Sequence, residues 1–521
     1  MAVDIHHFCF FMSIARKILE NTFVQVLGKL ITSALSIVIL KVLSGYLGAA
    51  GYGDYTTIYQ FLAFFGIAAD FGIYTITVKE MSRDHSKIPM ILGNVMGLRT
   101  ALAVLTMSAA VVAAFLIPNY ANTVIPMGVA IATLTTVFTL LNGTVSTVLQ
   151  THLKMHFTTI SLVFGKIISV GYIVLVAYVL FTDDPATGFY HLIWAGVIGN
   201  FIMFIMTSYY VRRFAEITYQ FDFVFWKKIF FTALPYGVAL VLNTIYFRLD
   251  VLLMTLLLPH SSSMVDGVNS CQTTLCGDTE VGLYGVAMRM LEMLVIIPVY
   301  FMNSVLPIMT RYIEEKSNRL RELIQYSYDF LTATSIPILV GGIILAVPII
   351  MFISDPEYVS GHTYLFGSDL AVRILMFAMA FSFVNALFGF TLVVLNKQMQ
   401  LMYINAGCVL FNLISNLIVI PYWGFKGAAM TSVLSEFFIL IFVYMAAKRA
   451  LGFHLSIKPT LKILFSSFMM GAFVLGGFWW MQDVWYIWQL AILIPLGASV
   501  YGISLIKTHA VTPEMMGLLR K

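Results

Sequence analysis

Runs of about twenty apolar residues recur along this chain, separated by short polar joints, from Thr22 to Ile506. Twenty helical residues cover the ~30 Å hydrocarbon core of a bilayer. Lipid offers backbone N–H and C=O groups no partner, so only helices and closed barrels can span it. These runs are about twice the length of a spanning strand, which selects helices. Of 521 residues, 60% are hydrophobic and 11% are Asp, Glu, Lys or Arg, whereas a soluble domain carries about 25% charged residues. Too little charge is present to coat a water-facing surface. The expected fold class is all-α, a polytopic membrane protein with about 14 transmembrane helices.

The runs fall at 22–44, 54–77, 88–117, 122–150, 158–180, 190–210, 226–257, 281–310, 322–352, 368–395, 399–420, 424–447, 460–480 and 485–506. An internal N-terminus puts Arg83, Lys87, Lys154, Arg212, Arg213, Lys227, Lys228, Arg311, Arg319, Lys397, Lys448 and Arg449 on the cytoplasmic side. The opposite joints carry mainly acidic residues, with Lys426 as an exception. This positive-inside pattern predicts a multi-pass protein of the cell membrane with both termini cytoplasmic. Met1 to Phe11 show no small-residue cleavage signal before Arg16 and Lys17, so no removable signal peptide is expected. The net charge of +5 is spread over many loops, so no nucleic-acid partner is expected.

The chain also repeats itself weakly. Gly53-Asp54-Tyr55 opens the second span as Gly282-Leu283-Tyr284 opens the eighth, and Asn142 and Lys154 have counterparts in Asn385 and Lys397. Copies an even number of spans apart keep the same orientation. The expected plan is a cytoplasmic segment (1–21), an N-lobe of six helices (22–210), a connector (211–225), a C-lobe of six helices (226–447), and two C-terminal helices with a tail (448–521). The connector, with Phe221, Phe223, Phe225 and Trp226 at its end, reads equally as a linker or as an amphipathic surface helix. Cys271 and Cys276 lie in an outward joint whose oxidising surroundings permit either a disulfide or two free thiols.

Polar residues inside the spans carry the functional signal. Thr22, Gln25, Lys29, Ser33 and Ser36 recur at helical spacing on one face. Lys29 is a candidate anion ligand, with snorkelling to headgroups as the structural alternative. Tyr236, Asn243 and Asp250, each seven apart, form a second face, and Arg248 cannot share it. Arg289 and Glu292, three apart, can pair locally. Asp70, Arg99, Lys166, Asp329 and Glu436 add ionisable positions, a distribution suited to a hydrated seam between helices. Asn405, Asn412 and Asn416 line one face, which interhelical hydrogen bonding explains without a ligand. Phosphate-loop, dinucleotide and HExxH patterns are missing, so neither an enzyme nor a cofactor or metal site is expected.

In order along the chain stand Leu47-Gly48-Ala49-Ala50-Gly51-Tyr52-Gly53-Asp54-Tyr55, Phe247-Arg248-Leu249-Asp250, Val281-Gly282-Leu283-Tyr284-Gly285-Val286-Ala287, Val394-Leu395-Asn396-Lys397, Asn412-Leu413-Ile414-Ser415-Asn416, Pro421-Tyr422-Trp423-Gly424-Phe425-Lys426-Gly427 and Ser435-Glu436. With these segments the chain resembles the polysaccharide biosynthesis and oligosaccharide flippase family of the multidrug/oligosaccharidyl-lipid/polysaccharide exporter superfamily. The resemblance implies two six-helix lobes and alternating access. It also implies transfer of a polyprenyl-(pyro)phosphate-linked oligosaccharide from the cytoplasmic to the outer leaflet, with membrane lipids and glycan-assembly proteins as partners. Lys29, Arg248, Arg289, Asn243 and Asn412 are then the candidates for binding the headgroup. Asp70, Asp250 and Glu292 are candidates for orienting them or for coupling to a cation of unknown identity. Export of drugs or small organic cations on the same architecture is the alternative.

Overall fold

The computed structural model describes residues 2–152, 154–261, 264–265, 268–269, 276–315, 319–452 and 455–508, with side chains at those positions other than 2–23, 26, 235–247, 264–265, 268–269, 307 and 314. The side chains of Thr22, Tyr236 and Asn243, and all of Cys271, therefore lie outside the described residues. Helices dominate. Among the described residues, eleven helical stretches are long and apolar enough to cross a membrane. Two of them, Leu27–Arg83 and Gln398–Leu451, run for 57 and 54 residues, more than twice the ~20 that one crossing needs.

The chain divides into two compact units, one of Met1–Arg248 with Pro259–Thr274 and one of Leu249–Leu258 with Leu275–Lys521. The first holds α1 (Ala2–Asp70), α2 (Ile73–Arg83), α3 (Ile88–Leu116), α4 (Ile125–Thr151), α5 (Met155–Leu175) and α6 (Pro185–Val211). It also holds most of α7 (Phe223–Leu257) and a short antiparallel pair, β1 (Met264–Val265) and β2 (Val268–Asn269). Gly48 breaks α1 at φ 65° and ψ −179°, backbone geometry that a Cβ disfavours. This break lies between the first two apolar runs. A second break, at Phe71 (φ 39°) and Gly72 (φ 74°), separates α2; hydropathy runs straight through it and carries no trace of it.

Small residues set the packing in this unit. A Cβ on Gly165 would stand 2.5 Å from the Gly199 carbonyl oxygen, and one on Gly199 2.8 Å from that of Gly165. Only two glycines let α5 and α6 approach so closely, the way membrane helices associate when hydrophobic expulsion between them is absent. Residues 216–222 are not helical. This part of the connector lies along α3, with Gln220 N–H donating to Gly93 O (3.1 Å). Asn94 donates to Gln220 Oε1 (3.0 Å) and accepts from Asp222 N–H (2.9 Å).

The second unit contains α8 (Gly277–Glu314), α9 (Arg319–Ile344), α10 (Ala346–Ile353), α11 (Ser368–Val394), α12 (Gln398–Leu451), α13 (Lys458–Trp480) and α14 (Tyr486–Lys507). The ninth apolar run is here two helices, α9 and α10, divided at Leu345. The eleventh and twelfth runs form α12, broken at Gly424 (φ 54°, ψ −135°). Helix α11 packs against α8, α9 and α12, while α13 packs on α9 and α14. Large apolar side chains such as Phe468, Trp480 and Ile506 face outward, as a lipid solvent allows.

Candidate functional site

Among the described residues, the most heavily built polar centre lies in the second unit around Asp250, whose side chain is buried. Helix α7 supplies the carboxylate. Tyr284 of α8 donates to its Oδ2 at 2.7 Å, Ser432 of α12 donates to the same oxygen at 2.6 Å, and Asn416, also of α12, donates to Oδ1 at 2.6 Å. Asn416 further donates to Asn412 Oδ1 (3.0 Å), and Asn412 reaches Ser435 Oγ (3.4 Å). The break at Gly424 lets one helix contribute from both of its halves. A buried carboxylate demands compensation, and the donors from Tyr284, Ser432 and Asn416 are all neutral. Among the described residues, the buried Asn416 Oδ1 accepts no hydrogen bond. Carboxylate, amide and hydroxyl oxygens together are the donor set of a hard cation, and the same carboxylate can instead take a proton.

The break itself is braced. Glu280 of α8 is buried and accepts the Phe425 N–H at 2.6 Å, so the residue after the glycine keeps a partner that helix continuity would otherwise supply.

In the first unit the buried charge is basic. Arg99 of α3 is 2% exposed. It pairs with Asp70 and donates to Leu140 O (3.1 Å) and Thr144 Oγ1 (3.2 Å) of α4. Arg248 donates to the Gln60 side-chain oxygen, and His260 meets Asp54 at 2.8 Å. Lys29 is exposed on α1 between the exposed Leu27, Leu30 and Ile31. Gly28 beside it faces Thr159 of α5.

A sequence model of the polysaccharide biosynthesis protein family matches residues 18–313, more than half of the chain. The chain belongs to the polysaccharide biosynthesis protein family. A second model, MatE, matches residues 251–418. Among curated proteins none matches the sequence. In fold the family member is similar to the lipid II flippase MurJ in an inward closed conformation (TM-score 0.67, 14% identity, covering 93% of this chain and 98% of that one). It is also similar to an inward-facing multidrug resistance MATE family transporter of the MOP superfamily (0.61, 10%, 80% and 94%). The Vibrio cholerae MATE transporter VcmN shares the fold as well (0.54, 14%, 85% and 98%). At such identities the likeness is one of fold: a polytopic all-helical membrane protein.

The structure distributes the residues that the sequence singles out for this family member. Asn412 and Asp250 come together in the buried centre, and Arg289 pairs with Glu292 at 2.8 Å, both about 40% exposed. Asp70 is taken up by Arg99. Along the polar stripe of α1, Ser36 donates to Thr32 O and Thr32 to Lys29 O, while Gln25 and Lys29 stay exposed. Cys276 is disulfide-bonded. Sequence spacing does not mark Tyr284, Ser432 or Glu280 as site residues. Ser432 is one polar side chain in an apolar run, Glu280 one of several acids in the joints, and Tyr284 enters only through the weak repeat and a motif segment, signals too common to select a site.

Proposed function

We propose that this protein is an alternating-access flippase that moves a polyprenyl-(pyro)phosphate-linked oligosaccharide from the cytoplasmic to the outer leaflet. The exposed Lys29 on an apolar, membrane-length helix carries this reading, taken together with the family. An ammonium is held there at a cost, and an anionic headgroup offsets it. Arg248 supplies further positive charge beside Gln60, and Arg289 does so only when it exchanges its ion pair with Glu292 for the headgroup. The sugar and phosphate travel along polar helix faces, and the prenyl chain stays in lipid, so neither is moved into the wrong solvent. Both termini are cytoplasmic in this proposal, and cation or proton occupancy at Asp250 couples to helix motion in the second unit.

The MatE match over residues 251–418 favours one other reading, ion-coupled export of drugs or organic cations. Proteoliposomes separate the two. Lipid-linked oligosaccharide is expected to become accessible on the far leaflet, about tenfold more slowly with Lys29→Gln if one charge-assisted contact of ~1.5 kcal/mol is lost. Unchanged cargo flipping by a folded Lys29→Gln protein removes that residue from the mechanism. Selective efflux of soluble cations without lipid movement establishes the exporter reading instead.

A further inference from the structure

One end of the second unit carries an open apolar groove of about 560 Å³, lined by Ile343 of α9, Ile374 and Phe377 of α11, Val433 and Leu434 of α12, and a single cation, Arg373. Phe377 and Leu434 are well exposed, and the Arg373 side chain is 43% exposed. Its acidic neighbour, Asp369, stands 3.8 Å away, beyond hydrogen-bonding distance. The other oxygen of Asp369 is already engaged, accepting from Ser360 N–H (2.8 Å) and Ser360 Oγ (2.6 Å). Asp369 thus fastens the loop before α11 and neutralises the guanidinium only in part. A second cation lies at the same end: Lys426 sits 4.0 Å over the ring of Phe366 in that loop.

We infer that this groove binds one phosphate-bearing membrane lipid, its phosphate on Arg373 and an acyl chain along Ile374, Phe377 and Leu434. A planar guanidinium matches phosphate oxygens in pairs. One helical turn, ~6 Å, separates Arg373 from Phe377, so a headgroup held at the arginine leads its chain directly onto the apolar lining. The charge distribution places this end in the extracytoplasmic leaflet, where Lys426 departs from a mainly acidic set of joints and Arg373 lies inside the tenth apolar run. A lipid held there bridges α9, α11 and the second half of α12. No cargo or transport step enters, so the inference stands or falls separately from the flippase reading.

Native mass spectrometry of the full chain in detergent, titrated with phosphatidylglycerol or phosphatidylcholine, tests it. The wild type is expected to retain phosphatidylglycerol in preference to phosphatidylcholine. Arg373→Gln weakens phosphatidylglycerol retention about tenfold, the loss of one charge-assisted contact, and weakens phosphatidylcholine less, because the choline cation already balances that lipid's phosphate. Val433→Trp fills the groove and lowers retention of both lipids. Equal phosphatidylglycerol retention by wild type and Arg373→Gln overturns the inference, as does displacement of the lipid by an equal concentration of glycerol phosphate, which would mark a soluble-anion site. If Arg373→Gln fails to fold, Val433→Trp decides alone, and unchanged lipid retention in it rejects the groove.

Discussion

Substituting Asp250 separates its structural contribution from its charge. In Asp250→Ala the donors on Tyr284, Ser432 and Asn416, at 2.6 to 2.7 Å in the wild type, lose their acceptor inside a buried site. Each orphaned donor costs about 1–3 kcal/mol, so the loss is roughly 3–9 kcal/mol, enough to threaten a fold of ordinary stability. Asp250→Asn behaves differently. Its carbonyl oxygen still accepts from Asn416, and the two hydroxyls facing the new NH₂ can rotate to become acceptors, at about 1 kcal/mol for each rearranged bond. The negative charge, however, is gone. A cation that binds at this centre stabilises the wild type by about 2.7 kcal/mol at 100 times its Kd, and Asp250→Asn is expected to lose nearly all of that. Thermal unfolding in detergent, with sodium, potassium and pH varied one at a time, reads both effects. An Asp250→Asn protein that keeps the wild-type cation response refutes the coupling assignment, and an Asp250→Ala protein as stable as wild type refutes the packing argument.

Two further perturbations probe the scaffold. Arg99→Met removes the partner of Asp70 and the donors to Leu140 O and Thr144 Oγ1, and it is expected to destabilise the first unit toward the lower end of the ~3–5 kcal/mol typical of a broken buried pair, because Asp70 is 35% exposed. A lowered melting temperature restored in part by Arg99→Lys checks this; no shift in either variant contradicts it. Gly199→Leu places a Cβ about 2.8 Å from the Gly165 carbonyl oxygen and then a full side chain beyond it, so α5 and α6 must separate. The folded yield on size exclusion is expected to fall sharply, whereas Gly171→Leu, with open space at its Cβ, retains wild-type yield.

What the sequence reveals here follows the range over which each signal acts. Apolar runs report helices because lipid imposes the same requirement on every residue of a span, and Arg289 with Glu292 is readable because three residues is a fixed helical distance. The asparagine stripe of 412 and 416 likewise announces a hydrogen-bonded face. Asp70 and Arg99 are both visible as costly charges, yet their union depends on how α3 stands against α1, which no local spacing encodes. The same holds for Tyr284 and Ser432 on Asp250: three helices must converge before those hydroxyls acquire meaning. Backbone breaks are less legible still. Gly48 and Gly424 sit between apolar runs and so coincide with apparent joints, but Phe71–Gly72 interrupts a continuous run, where hydropathy is blind to φ.

The break at Gly424 also ties the carboxylate centre to the shape of its helix. Asn416 approaches Asp250 from before the break and Ser432 from after it, so a single carboxylate fastens the two halves of α12 to α7, while Tyr284 adds α8. Glu280, from the same α8, fixes the N–H of Phe425 at the break. Hydrogen bonds to an ionised group are roughly twice as strong as neutral ones, so neutralising Asp250 by a proton, or drawing its oxygens onto a cation, weakens or redirects all three struts at once. A glycine at a positive φ then offers the point at which the halves can change angle, because its backbone has no Cβ to oppose rotation. In the proposed mechanism, therefore, occupancy at Asp250 acts on the helix that surrounds it, through bonds of 2.6 to 2.7 Å, and needs no relay through distant residues to move α12 against α7 and α8.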